Sequence, residues 1–245
     1  MDDLLELTVR AESTHFWFRG FRKFVAPVIG DLAEGRDGLR LVDCGCGNGN
    51  NLRLLQPYGR TIGFDLTASG LARAHADGWV VLRGDMTRIP LASETFDVAT
   101  AFDVLQCLDA DVAALREMAR IVRPGGAVVV TLAAFNALRA DHGEVWNEVR
   151  RYTPATARRL IEAAGLRAER VSFVFASVFP LIAAARLAQR VTRRFRAGPH
   201  AAVDIAVPVA PVNGLLTALV SIEAVLLRHV PMPIGSSLLV VARKA

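Results

Sequence analysis

Leu41-Val42-Asp43-Cys44-Gly45-Cys46-Gly47-Asn48-Gly49-Asn50 is the stretch on which the fold turns. A short apolar strand, Leu39–Asp43, runs into a turn with glycines at 45, 47 and 49, and a helix is predicted from Asn51. Glycine lets the backbone bend tightly and lets a ligand approach the main chain. The free N–H groups expected at the helix start favour negative charge. A dinucleotide fingerprint of the form G-x-G-x-x-G would place its third glycine six positions into the motif. Counting from Gly45, that position is Asn50. Asp43, just before the turn, is awkward beside a pyrophosphate but suits an amino group. Both details favour a ligand with an ammonium-carboxylate end over a nicotinamide dinucleotide.

Outward from the turn, strands and helices alternate. Strands are predicted at Arg60–Asp65, Trp79–Arg83, Phe96–Phe102 and Ala127–Leu132, with helices at Ala68–Asp77 and Val112–Val122, the latter ended by Pro124-Gly125-Gly126. Upstream, residues 12–34 carry Trp17, Phe21, Phe24, Val25 and Val28 at helical spacing. Downstream, Thr153 is a plausible N-cap with Pro154 in the first turn of a helix ending at Gly165. Two further strands are expected at Arg170–Phe175 and Ser237–Ala242. Alternation over this length implies a parallel, doubly wound α/β sheet.

Acidic residues recur at strand carboxyl ends, where open α/β sheets bind ligands. Asp65 ends the second strand, and a carboxylate there can accept hydrogen bonds from two ribose hydroxyls. Asp85 and Met86 follow the third strand; Asp85 can accept from an exocyclic amine, and the Met86 N–H can reach a ring nitrogen. Phe102 and Asp103 end the fourth. Cys46, Asn50 and Leu66 complete the candidate cofactor contacts. In this order the motifs resemble the class I S-adenosylmethionine-dependent methyltransferase family, and the matching positions are Asp43, Gly45, Gly47, Asp65, Asp85 and Met86. The resemblance implies that the glycine turn holds the methionine part of S-adenosylmethionine, Asp65 the ribose and Asp85 the adenine. It implies a Rossmann-like, seven-stranded sheet whose last strand is antiparallel, with an N-terminal helix and a helical insertion between strands 6 and 7.

The resemblance extends to His15-Phe16-Trp17-Phe18-Arg19 with Arg22, to Arg150-Arg151-Tyr152-Thr153 with Asp141-His142 upstream, and to Pro233-Ile234-Gly235-Ser236-Ser237-Leu238-Leu239. These resemble a bacterial subgroup near cell-surface glycan and lipid pathways. Trp17 and Arg22 either close over the methionine end or pack in the core and face solvent, respectively. Methyl transfer by in-line displacement needs alignment and exclusion of water; an oxygen or nitrogen acceptor also needs a base. His142, in the polar segment after strand 5, is the first candidate, against a surface role. Tyr152 can orient substrate or pack on the next helix, and His15 reads as part of a helix start. After strand 4 many relatives carry Glu-His; here the residues are Gln106-Cys107, and packing is the better reading of the thiol. No metal site is expected, since Asp141, His142 and Glu144 have no second cluster to support them.

Apolar residues make up 52% of the 245-residue chain and charged residues 22%, enough for a full core and too apolar for a disordered chain. The formal charge is +5, but 27 of the 29 basic residues are arginine, mostly interleaved with acids. With Asp103-Val104-Leu105-Gln106 after strand 4 in place of a base-flipping motif, this argues against nucleic acid as partner. Cys44, Cys46 and Cys107 suit a reducing compartment, and Met1 to Arg10 does not read as a signal peptide, so a cytoplasmic protein is expected. One methyltransferase domain over 1–245 is predicted: an N-terminal helix cap at 12–34, a cofactor core at 39–172, an insertion at 176–234 and the last strand at 236–243.

The insertion is open to three readings. It can be a lid over an apolar acceptor, a peripheral membrane contact through 173–196 at the inner membrane face, where an apolar run meets Arg186, Arg190, Arg193, Arg194 and Arg196, or a homodimer interface. No clean span of about 20 apolar residues is found. Two functions follow: methylation of a small-molecule or lipid- or glycan-linked acceptor, and a catalytically silent, methyltransferase-like binding scaffold.

Overall fold

Strands that are apolar on both faces must be covered on both sides, and this requirement organises the chain. The computed structural model describes residues 11–139, 143, 147–193 and 207–245. Seven strands form one sheet: β1 (Leu39–Cys44), β2 (Gly59–Asp65), β3 (Val81–Arg83), β4 (Phe96–Phe102), β5 (Val122–Ala133), β6 (Leu166–Val174) and β7 (Ser237–Lys244). Their order is β3-β2-β1-β4-β5-β7-β6. The first five run parallel, and β7 lies antiparallel between β5 and β6. This is the doubly wound, Rossmann-like sheet expected from the alternation, with its antiparallel last strand.

The helices are α1 (Phe16–Ala33), α2 (Leu52–Leu55), α3 (Ala68–Ala76), α4 (Asp111–Ile121), α5 (Pro154–Ala163), α6 (Phe179–Arg193) and α7 (Ala210–Leu227). Alternate strand residues serve opposite layers. Leu41, Val98, Val129 and Leu239 pack with α1 and α7, while Val42, Ala99, Val128 and Val240 pack with α4 and α5. Thr153 caps α5 with a reciprocal pair of hydrogen bonds to Thr156, as its place before Pro154 suggests.

Three of the boundaries stated above differ by four residues or more from the sequence reading. Helix α1 starts at Phe16 rather than residue 12, because His15 is its N-cap and accepts the Trp17 N–H at 3.1 Å. Strand β5 starts at Val122, since Val122 pairs with Phe96 and a register shift absorbs the Pro-Gly-Gly that follows. Strand β6 starts at Leu166, with its own shift between Ala168 and Arg170. Helix α7 begins beyond Pro208 and takes Pro211 into its first turn, giving 18 residues of mean hydropathy 1.7, long and apolar enough by length and composition to cross a membrane.

Helices α1 and α7 meet at Gly20. A Cβ there would overlap Cγ1 of Val220 and come within 3.2 Å of Phe175. Val220 is β-branched and stiff in a helix, so it cannot swing away. Gly30, on the same helix, would place its Cβ in ordinary contact with Tyr58 at 3.7 Å. We therefore expect Gly20→Ala to destabilise the chain by about 1–3 kcal/mol through overpacking, and Gly30→Ala to stabilise it by about 0.5–1 kcal/mol through helix propensity. Urea denaturation of the two variants checks both signs.

Candidate functional site

Strand order reverses between β1 and β4, and the crevice at their carboxyl ends is where a doubly wound sheet binds ligands. Asp43 stands on the β1 side. It is fully buried; its Oδ1 accepts from Thr100 Oγ1 at 2.7 Å, and its Oδ2 has no hydrogen-bond partner. Burial pushes its pKa up to about 7, Asp65 adding to the rise and the Thr100 hydrogen bond opposing it. A buried carboxylate oxygen without a donor is costly and calls for a cationic or N–H donor from a ligand.

The glycine turn departs from expectation. The N–H groups of Gly45 and Cys46 donate to Phe64 O at 2.8 and 3.0 Å, and that of Gly47 donates to Asp65 Oδ2 at 2.9 Å. Those of Gly49 and Asn50 go to Cys46 O and Asn48 Oδ1. Five of the turn's N–H groups are therefore taken within the protein, three of them by β2. Gly45, Gly47 and Gly49 all have positive φ, and a Cβ at Gly47 would meet nothing within 4 Å, which leaves room above the main chain there. Cys46 is buried, and a Cβ at Gly63 would overlap its Sγ, so the thiol packs against β2.

Asp65 accepts from Thr67 N–H at 2.7 Å as well as from Gly47, and is half-buried at the end of β2. Leu66 beside it is 63% exposed, an apolar surface available to a flat ring. Asp85 is exposed; its Oδ1 takes the Thr87 N–H and hydroxyl, and these bonds hold its pKa below the usual carboxylate value. Met86 is buried next to it. Phe102 is buried edge-on to Phe21 at 5.1 Å. Asp103 is exposed with φ 57°, its N–H donating to Thr131.

Two acids missed in the sequence complete the surroundings. Glu12 reaches over the turn: its Oε2 accepts from Asn48 Nδ2 at 3.3 Å, and its backbone carbonyl accepts from Arg22 Nη2 at 2.8 Å. Burial pushes the Glu12 pKa up. Arg22 thus lies against the turn rather than in open solvent, with further N–H donors to offer. Trp17 stacks on Phe175 at 3.7 Å, almost coplanar, and so lies against the sheet-side aromatics. Glu148 is the second acid. It is buried and paired in fork geometry with Arg151, at 2.8 and 3.1 Å. Nothing in its sequence surroundings distinguished it from a solvated charge.

Beyond β5, Phe135 stacks on Phe173 at 5.2 Å and meets Phe179 of α6 edge-on at 6.2 Å. Burial, then the charges of Glu148 and Asp103, push the Cys107 thiol up to about 12, so it is no thiolate nucleophile near neutral pH. The Tyr152 hydroxyl is buried and donates to Asp111 Oδ2 at 2.8 Å, and burial together with Asp111 pushes its ionisation well up. His142, Asp141, Glu144 and Met1 to Arg10 lie outside the described residues, as do Arg194 and Arg196. Among the described residues no cluster of three metal-ligating side chains occurs.

The family described as methyltransferase domain matches residues 42–130. The malonyl-[acyl-carrier protein] O-methyltransferase of Pectobacterium atrosepticum is 32% identical over 123 residues, 48% of this chain and 47% of that protein. The demethylmenaquinone methyltransferase of Mycobacterium marinum is 30% identical over 130 residues, 52% of each. The match therefore spans about half the length of these curated relatives. Among solved structures, an S-adenosylmethionine-dependent methyltransferase from Mesorhizobium loti superposes with a TM-score of 0.55 at 19% identity, covering 89% of this chain and 96% of that one.

Asp43 gives the site a pH signature. Its folded pKa of about 7 lies above the unfolded value of about 3.9, so the folded state binds the extra proton and stability falls as pH rises across that window. Asp43→Asn removes the titration. The stability of the Asp43→Asn variant minus that of the wild type should grow from about pH 4 to about pH 7 and level off above. Denaturant melts at a series of pH values read it directly; a flat difference contradicts the assignment.

Proposed function

We propose that this chain, which belongs to the class I S-adenosylmethionine-dependent methyltransferase family, transfers a methyl group from S-adenosylmethionine to a small or lipid-linked acceptor with an apolar body. The observation that carries the reading is the buried Asp43 Oδ2 without a partner, beneath a turn with room above Gly47.

The residues present fit the cofactor. Asp43, with Glu12 above the turn, suits an ammonium group. Arg22, which donates to the Glu12 carbonyl beside the turn, is assigned to the carboxylate. Asp65 keeps lone pairs for ribose hydroxyls, the exposed Leu66 supports the adenine ring, and Asp85 with the Met86 N–H reads its edge. When bound, the cofactor supplies an electrophilic methyl on a sulfonium whose departure leaves a neutral thioether, so the protein need not protonate a leaving group. The chain's work is to align the acceptor and exclude water.

The aromatic wall of Phe135, Phe173 and Phe179 supports an apolar acceptor. The two curated relatives, one acting on an acyl-carrier-protein thioester and one on a quinone precursor by their names, are in keeping with that class. The proton of an oxygen or nitrogen acceptor is assigned to His142 by its place after β5. Tyr152 is not given that role, since its hydroxyl is committed to Asp111.

Incubating the purified protein with deuterated-methyl cofactor and a lipid-inclusive cell extract, followed by mass spectrometry, should reveal a labelled product. In calorimetry, Asp65→Ala should weaken cofactor affinity at least about tenfold, since hydrogen bonds to a charged acceptor contribute about 1.5–3 kcal/mol. Cofactor binding without any labelled product would point to the silent scaffold. Absence of binding at millimolar cofactor would overturn methyl transfer and leave the scaffold.

A further inference from the structure

Helix α7 is built with its polarity inverted. A helix on the surface of a globular protein normally turns its apolar stripe inward and its polar residues out. Here the polar residues go in. Buried Asn213 accepts the Phe16 N–H at 2.9 Å and donates to Thr14 O at 2.9 Å, and buried Thr217 donates to Asn213 O at 2.7 Å. Buried Glu223 accepts the N–H groups of Ala176 and Ser177, each at 2.8 Å, and the Ser177 hydroxyl. Outward stand Val212, Leu215, Leu219, Ile222, Val225 and Leu226, from 37% exposed at Leu219 to 62% at Val225. Every exposed residue of α7 from Ala210 to Leu226 is apolar. The stripe runs roughly 25 Å at 1.5 Å per residue, far from the scattered single exposures that are normal.

The flanks of this stripe are basic. Lys23 reaches Ser221 on α7 with a 2.6 Å hydrogen bond, and Arg19 is exposed one turn before it on α1. At the far end the Arg170 guanidinium donates to Leu227 O, and Arg228 follows, exposed. Glu223, the one acid within α7, is consumed inside, and exposed Asp31 offsets part of the Arg170 charge, leaving Arg19, Lys23 and Arg228 as the basic border. An apolar strip bordered by cations is complementary to acyl chains bordered by anionic headgroups. A second copy of the chain would bring two basic borders together, which opposes pairing. The helix cannot cross the bilayer while its other side is bonded to α1 and to the turn that leads into α6, so it would lie flat.

We propose that the outward face of α7 docks this chain on a bilayer carrying anionic lipid. This places the contact on α7 rather than on the 173–196 segment expected from sequence, and it stands independently of the methyl-transfer reading.

Flotation of the full chain with phosphatidylcholine vesicles, with and without phosphatidylglycerol, tests it. The chain should float with the phosphatidylglycerol vesicles, and less so as salt is raised. The triple variant Leu215→Gln/Leu219→Gln/Ile222→Gln changes only outward side chains. It should lower partitioning at least about tenfold while circular dichroism and the melting temperature show the fold retained. Arg19→Glu/Arg228→Glu, which disturbs no buried group, should remove the preference for phosphatidylglycerol. Three results would overturn the proposal: no flotation of the wild type, equal flotation of the triple variant, or a wild-type dimer by light scattering that the triple variant dissolves while neither form binds vesicles. The last would assign the face to a second copy.

Discussion

One half-satisfied carboxylate governs the arrangement of the site. Asp43 is buried where the strand order reverses, with Thr100 on one oxygen and nothing on the other. An acceptor left bare in this way costs about 1–3 kcal/mol, and evolution could have removed it with a leucine. Its persistence constrains its neighbours. Thr100 must put a hydroxyl into the middle of β4 to hold the first oxygen. The glycine turn must spend its N–H groups on β2 and Asp65 rather than on Asp43. Glu12 then closes the upper side through Asn48. The result is a pocket edge dominated by acceptors, with Arg22 and Arg53 as nearby cations.

The same edge stores backbone strain. Asp103, Phe135 and Phe175 all have φ between 56° and 60°, and they follow β4, β5 and β6. Because β6 runs parallel to β5 across the antiparallel β7, all three lie on one rim. Non-glycine residues in the left-handed region cost of the order of 1 kcal/mol or more each, and they hold because the packing around them is over-determined. Phe135 is fixed by Phe173 and Phe179, and Phe175 by Trp17 and Phe24. The strain aims aromatic rings along the rim instead of letting the chain relax into an ordinary strand exit. Helix α1 and helix α6 supply the partners, so the N-terminal helix and the insertion both shape the rim.

What could be read in the sequence was local. The glycine turn, the acid ending β2, the strand alternation and the Thr153 cap depend on residues within a few positions of one another, and each lies where the pattern puts it. What could not be read depends on pairing across the chain. Three of the turn's N–H groups look free in sequence because their acceptors, Phe64 and Asp65, sit on the neighbouring strand. Helix α1 looks four residues longer because the groups that stop it include Asn213, which lies 197 residues further on. Glu12 and Glu148 look like solvated charges, since nothing adjacent to them signals that one will lean over the turn and the other will be buried with Arg151. The inversion of α7 was hidden for a related reason: an almost uniformly apolar helix has little periodic signal to say which side faces in.

That inversion is fixed by capping. Turning α7 about its axis would hide the apolar stripe but bring buried Leu216, Val220, Ala224 and Leu227 out, so the hydrophobic effect alone does not decide which side faces in. Turning it would also withdraw Asn213 from the Phe16 N–H at the start of α1, at about 0.5–2 kcal/mol for that cap, and Glu223 from the Ala176 and Ser177 N–H groups in the turn that leads into α6. The consequence would not stay at the helix ends. The first turn of α1 carries Trp17, which braces Phe175, and the first turn of α6 carries Phe179, which braces Phe135. The chain therefore cannot cover its own apolar face without loosening the wall of the acceptor rim, and the face is left to be covered from outside.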